Sequence, residues 1–203
     1  MEEFRLVFRK GPLPKFNLEK LNWLRQNARE AGLIGDDPSR YPAPYGNASI
    51  RLESPGRIRF AVTGTKTSGL PELTASHVSV IEYDPGRRLF TASGPCKPTS
   101  EYILHGTVYL LDPSAGAVLH SHCPALWNAA SRLGIPSTRR GIDTKTAELA
   151  AEIERLFRET NVREKRIFSI PAHRDGIVSF GRTPREAWSV TSGFLERVGR
   201  ELK

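Results

Sequence analysis

Ala117-Val118-Leu119-His120-Ser121-His122-Cys123-Pro124 is the stretch on which the reading of this sequence turns. An apolar run leads into two histidines and is stopped by a proline, the pattern of a strand end. Strand side chains alternate faces, so His120 and His122 share one face and Ser121 takes the other. Two residues along a strand are about 6–7 Å apart, close enough for both imidazoles to close on one divalent metal. Neutral imidazole suits zinc and other late first-row metals. A hydrogen-bonded pair, or two unrelated histidines on a polar face, would show the same spacing, so the surroundings must decide.

Outward from this strand, the sequence alternates helix and strand signals. Asn17 opens a helix whose Leu18, Leu21, Leu24, Ala28 and Ala31 recur at three and four, with Gly32 as the stop. Residues 33–46, with Pro38, Pro42 and Pro44, read as a loop. Strands are expected at residues 50–52 and 58–62, and a hairpin at residues 78–83 and 87–91 around Asp84-Pro85-Gly86. Ser100 is placed to cap a helix running to about Leu111, stopped by Asp112-Pro113. A further helix starts at Asp143 or Thr144, with Leu149, Ile153, Leu156 and Phe157 as its buried stripe. Strands follow at residues 167–170 and 177–180. The last helix has Thr183 as cap, Pro184 at the first position and Glu186 completing a capping box, with Trp188, Thr191, Leu195, Val198 and Leu202 on its apolar face. Strands joined by hairpins with interspersed helices suggest a mainly antiparallel sheet covered by helices.

At 203 residues, with 38% apolar and 26% charged residues, the chain can bury a sizeable core without staples. Its two cysteines, Cys96 and Cys123, argue against a disulfide framework and fit a reducing compartment. Met1-Glu2-Glu3-Phe4-Arg5 lacks the basic start and apolar stretch of a signal peptide. No apolar run approaches the ~18 residues of a membrane span. A cytoplasmic protein with no membrane partner is expected. The net charge is +8, but the basic residues are scattered and lack interleaved aromatics. That pattern favours an anionic small molecule over nucleic acid.

Four segments could supply chemistry around the histidines: Gly46-Asn47-Ala48-Ser49, Thr67-Ser68-Gly69-Leu70, Pro98-Thr99-Ser100-Glu101 and His120-Ser121-His122. His173-Arg174-Asp175-Gly176 is a fifth. Each taken alone is an ordinary turn, loop or helix start. Together they offer hydroxyls, an amide and glycine N–H groups, which suit a phosphate or carboxylate, and a helix N-terminus that favours an anion.

In this order the motifs resemble the class II aldolase/adducin family, over roughly residues 17–200. The resemblance implies a three-layer α/β/α fold with a central, mainly antiparallel sheet, here as one domain over residues 1–203. It implies a divalent metal, zinc in type, on His120, His122 and His173. It implies Glu101 as the acid/base and Asn47, Ser68, Gly69, Thr99 and Ser100 as the residues holding the substrate's phosphate. It also implies a homotetramer. The implied activity is a metal-dependent lyase, aldolase-type carbon–carbon cleavage through a metal-stabilised enediolate, on a small phosphorylated or carboxylated hydroxy-carbonyl compound. Epimerase, dehydratase, decarboxylase and a non-catalytic adducin-like module are the alternatives. In the aldolases the third histidine directly precedes a glycine. Here Asp175 holds that place, and His173 shares its parity in an expected extended segment. The aldolases also use a tyrosine downstream of the His-x-His pair, whereas this chain's tyrosines are at 41, 45, 83, 102 and 109.

Overall fold

A computed structural model describes residues 3–142 and 145–201. Its strands are β1 (Arg5–Lys10), β2 (Asn47–Arg51), β3 (Ile58–Thr63), β4 (Val78–Asp84), β5 (Leu89–Gly94), β6 (Ala117–His122), β7 (Ile167–Ile170) and β8 (Gly176–Gly181). They form one sheet in the order β1-β5-β4-β3-β2-β6-β8-β7. Every pairing is antiparallel except β1 with β5. The helices are α1 (Leu18–Glu30), α2 (Tyr102–Leu111), α3 (Pro124–Ala129), α4 (Ala147–Glu159), α5 (Val162–Lys165) and α6 (Pro184–Glu201).

Two apolar clusters sandwich the sheet. On one side Ala48, Ile50, Ala117, Leu119 and Ile177 meet Leu21 and Leu24 of α1, Leu126 of α3 and Ala187 and Phe194 of α6. On the other, Phe60, Val118, Val178 and Phe180 meet Leu104 and Val108 of α2 and Leu149, Ile153 and Leu156 of α4. Alternation along β6 thus sends Ala117 and Leu119 to one layer and Val118 to the other. β6 and β8 are buried throughout because both faces are covered. The fold is a three-layer α/β/α arrangement around a mostly antiparallel sheet, as the family resemblance implies.

Several local expectations change. α2 begins at Tyr102 with Glu101, not Ser100, at the cap position. Thr183 does accept from the Glu186 N–H, but the Glu186 carboxylate takes the Arg182 N–H instead of closing the box. The buried stripe of α6 is Ala187, Thr191, Phe194 and Val198, with Trp188 and Leu195 at its margin. Strand β1 and helices α3 and α5 have no counterpart in the sequence reading. The expected helix start at Asp143 or Thr144, and Leu202, lie outside the described residues.

Candidate metal centre and active site

Antiparallel register places Asn47 of β2 opposite His120 of β6, and Ser49 opposite Val118. Directly opposed residues share a face, so Asn47 and Ser49 point towards α2 with His120. On α2, His105 and Tyr109 lie one turn apart on one side. The strand period and the helix period meet in a buried polar chain. Tyr109 and Ser49 hydroxyls are 2.8 Å apart, Ser49 Oγ is 2.8 Å from His105 Nδ1, and His105 Nε2 is 2.6 Å from Asn47 Oδ1. The Asn47 amide donates to Glu101 Oε2 at 2.7 Å. Because Asn47 Oδ1 can only accept, His105 must donate through Nε2 and accept the Ser49 O–H at Nδ1. Burial, reinforced by nearby His120, pushes His105 down to about 3, so it is neutral, as this chain requires. Arg51 pins the far end of α2, donating to the carbonyls of Tyr109 and Asp112 near its C-terminus.

Glu101 is thereby held against the histidines. His120 Nε2 is 3.3 Å from Glu101 Oε2, and His173 Nε2 is 3.7 Å from Oε1. His122 Nε2 and His173 Nε2 are 2.8 Å apart. One ring nitrogen from each of His120, His122 and His173 lies within 4.8 Å of the others, so the three could hold a metal ion. His120 Nδ1 lies 3.3 Å from the Ile177 carbonyl. A proton on Nδ1 directs the Nε2 lone pair into the cluster, as metal-ligating histidines require. Burial, with His173 adding, lowers His120 to about 3. Burial, with His120 and His173 adding, lowers His122 to about 2. Both are neutral at physiological pH, the state in which imidazole ligates. His120 Nε2 and Glu101 Oε1 are buried without a hydrogen-bond partner. Lone pairs gathered in this way suit a cation, so the donor set fits a divalent metal.

The segment before β8 is a turn rather than the expected extended run, and Asp175 has φ 63°. Parity therefore does not apply. His173 reaches the cluster, whereas the Asp175 carboxylate accepts from the Tyr41 hydroxyl at 2.7 Å.

A cavity of about 510 Å³ opens beside the cluster. Asn47, Ser68, Thr99, Ser100, Glu101, His122 and His173 line it. His120 lies fully buried behind them. Gly69 is not on the cavity wall, and a Cβ there would come within 2.6 Å of Asp36 Cβ. Ser68 Oγ donates to the Gly46 carbonyl at 2.6 Å, which ties the second motif to the first. Gly46 has φ 75°, and a Cβ there would come within 2.7 Å of Ile34, so only glycine fits this link.

Sequence reasoning missed Tyr41 and Tyr45. The loop that carries them is closed by paired backbone bonds between Gly35 and Tyr45. Their rings lie 4.8 and 5.3 Å from that of His122. The only signal was an aromatic at each end of the proline-rich run Tyr41-Pro42-Ala43-Pro44-Tyr45. Arg40, Lys66, Lys145 and Arg174 add positive charge around the cavity.

Fold and site together define an α/β/α protein with three converging histidines and one carboxylate at a cationic cavity. The Class II Aldolase and Adducin N-terminal domain family matches residues 40–198, and the chain belongs to that family. Among curated proteins it resembles methylthioribulose-1-phosphate dehydratase of Methylococcus capsulatus, 37% identical over 97 residues, 47% of this chain and 43% of that protein. The enzyme of the same name from Hahella chejuensis is 33% identical over 107 residues, 53% of this chain and 48% of that protein. The matched stretch thus spans less than half the length of these relatives. Among solved structures, a sugar-phosphate aldolase from Thermotoga maritima aligns with TM-score 0.68 at 18% identity, over 91% of this chain and 92% of that one. The L-fuculose-1-phosphate aldolase from Thermus thermophilus aligns with TM-score 0.65 at 18% identity, over 91% of each. At such identities these structures speak for the fold alone.

Proposed function

We propose that the chain is a metal-dependent lyase acting on a small phosphorylated or carboxylated hydroxy-carbonyl compound. The observation that carries this reading is Glu101, a carboxylate clamped by Asn47 between the histidine cluster and the cavity. A divalent metal, zinc by preference, would be held by His120, His122 and His173 and would supply Lewis-acid polarisation of a substrate carbonyl. Glu101 would take the proton from the carbon beside that carbonyl, as a general base with its second oxygen already hydrogen-bonded. Ser68, Thr99, Ser100 and the cationic rim would hold the anionic end, fixing the reacting carbon against Glu101. Asn47 serves both tasks, since it lines the cavity and orients the base.

Within the lyases, two outcomes compete. In aldol cleavage a carbon–carbon bond breaks. In dehydration the hydroxyl on the next carbon leaves with a proton as water. Identity to two methylthioribulose-1-phosphate dehydratases favours dehydration, as does the lack of any tyrosine after position 109. The test is to incubate the metal-loaded protein with methylthioribulose 1-phosphate and L-fuculose 1-phosphate and follow the products by mass spectrometry. Loss of water from the first, abolished by a chelator, is expected. Turnover of neither, together with no thermal protection by inorganic phosphate, would overturn the lyase reading. Ligand at about 100 times Kd should add roughly 2.7 kcal/mol.

We also propose a cytoplasmic homotetramer. Among the described residues no helix is long and apolar enough to cross a membrane. Light scattering at micromolar concentration should give about four times the 22.6 kDa chain mass. A sharp 22.6 kDa species would refute the assembly.

A further inference from the structure

Arg25, on α1, is the only buried Lys or Arg side chain among the described residues, at 2% exposure. Its guanidinium donates to backbone carbonyls of the second motif, those of Thr67 at 3.3 Å, Ser68 at 2.9 Å and Leu70, and to that of Pro71 just after it at 3.4 Å. A trans peptide points its C=O and the following N–H in opposite directions. Carbonyls of Thr67 and Ser68 that face Arg25 therefore turn the N–H groups of Ser68 and Gly69 away from it. The same loop presents Thr65, Lys66 and Ser68 to the cavity. It is tied down by Thr67 Oγ1 donating to Gly64 and Ser68 Oγ donating to Gly46. Arg25 itself does not line the cavity, so it reaches the site only through this loop.

We propose that Arg25 is a positioning residue for the anion subsite. It orients the peptide dipoles of residues 67–71 with their positive ends away from itself, and its buried charge adds to the field there, so that it sets phosphate affinity without touching phosphate. This rests on the reading that the cavity takes an anionic substrate. Burial, with Arg29 adding, lowers the Arg25 guanidinium to about 10, so the group stays cationic at neutral pH. In a low-dielectric setting such a charge acts over several ångströms with little screening. Solvent-exposed Lys66 and Arg40 are screened far more.

The test is isothermal titration of inorganic phosphate into the metal-loaded protein and into Arg25→Gln and Arg25→Lys. Metal content and melting temperature are recorded alongside. Gln keeps an amide donor but no charge, and Lys keeps the charge but cannot span four carbonyls. Phosphate Kd should weaken about tenfold or more in Arg25→Gln, the order of one charge-assisted hydrogen bond. It should weaken by less in Arg25→Lys, with metal content unchanged in both. A scaffold role alone would lower melting temperature and leave phosphate affinity intact, and that result overturns the proposal. Should Arg25→Gln fail to fold, wild-type affinity in Arg25→Lys would overturn it equally. Wild-type protein that takes up no phosphate would instead remove the anionic-substrate reading on which the proposal stands.

Discussion

His120→Ala is expected to remove essentially all bound divalent metal from the purified protein, read as metal per chain by mass spectrometry. His120 is wholly buried, with its Nε2 turned into the cluster and its Nδ1 beside the Ile177 carbonyl. Losing one of three protein ligands strips a site that has few others to fall back on. The fold should survive. The change costs one hydrogen bond and leaves a small void, about 1–3 kcal/mol, against an expected total of about 5–15 kcal/mol. His173→Ala should lose metal in the same way. Asp175→Ala should keep it and lose activity instead, because its carboxylate holds Tyr41 rather than facing the ring nitrogens. A full metal complement in His120→Ala would sink the assignment. Metal lost from Asp175→Ala but kept by His173→Ala would transfer the third ligand to the residue beside Gly176.

Glu101→Gln should lose on the order of 10² to 10⁴ in turnover, the usual worth of a positioned acid/base, while metal content stays at the wild-type level. Gln is nearly isosteric, and its carbonyl oxygen can still accept from the Asn47 amide where Glu101 Oε2 does now. The substitution therefore removes proton transfer and leaves placement intact. The variant should be assayed on whichever sugar phosphate the wild type turns over. Near-normal turnover would end the general-base role. Loss of metal in step with activity would make Glu101 a ligand rather than a base.

The layers and the histidine strand were legible in the sequence because they rest on local periodicity. Ala117 to His122 alternates over one strand, and the stripes of α1 and α4 repeat over three turns. Proton-carrying contacts were less legible. The chain from Tyr109 through Ser49 and His105 to Asn47 joins a strand to a helix more than fifty residues away, and no spacing rule reaches that far. Tyr41 and Tyr45 were hidden for a similar reason. A proline-rich run reads as loop whatever it packs against, and only the tertiary fold lays it on His122. Arg25 drew no notice in the sequence, because the carbonyls of residues 67–71 that accept from it lie more than forty residues away. β1 was missed because its partner, β5, is about eighty residues further on, and a lone six-residue strand has little pattern of its own.

The two ends of the sheet differ, and the difference bears on aggregation. An unpaired strand edge is a template for another chain, and proteins guard such edges with charge or cover. The outer edge of β7 is covered by residues 136–138, whose backbone exchanges hydrogen bonds with Ser169. β1 has no such cover from the described residues. It carries exposed Arg5, Arg9 and Lys10, and its Val7 is the one exposed large apolar side chain among them. Two copies meeting through β1 would bring like charges together along the seam, which opposes sheet extension from one molecule to the next. An Arg9→Val or Lys10→Val change would take away this guard rather than any part of the core.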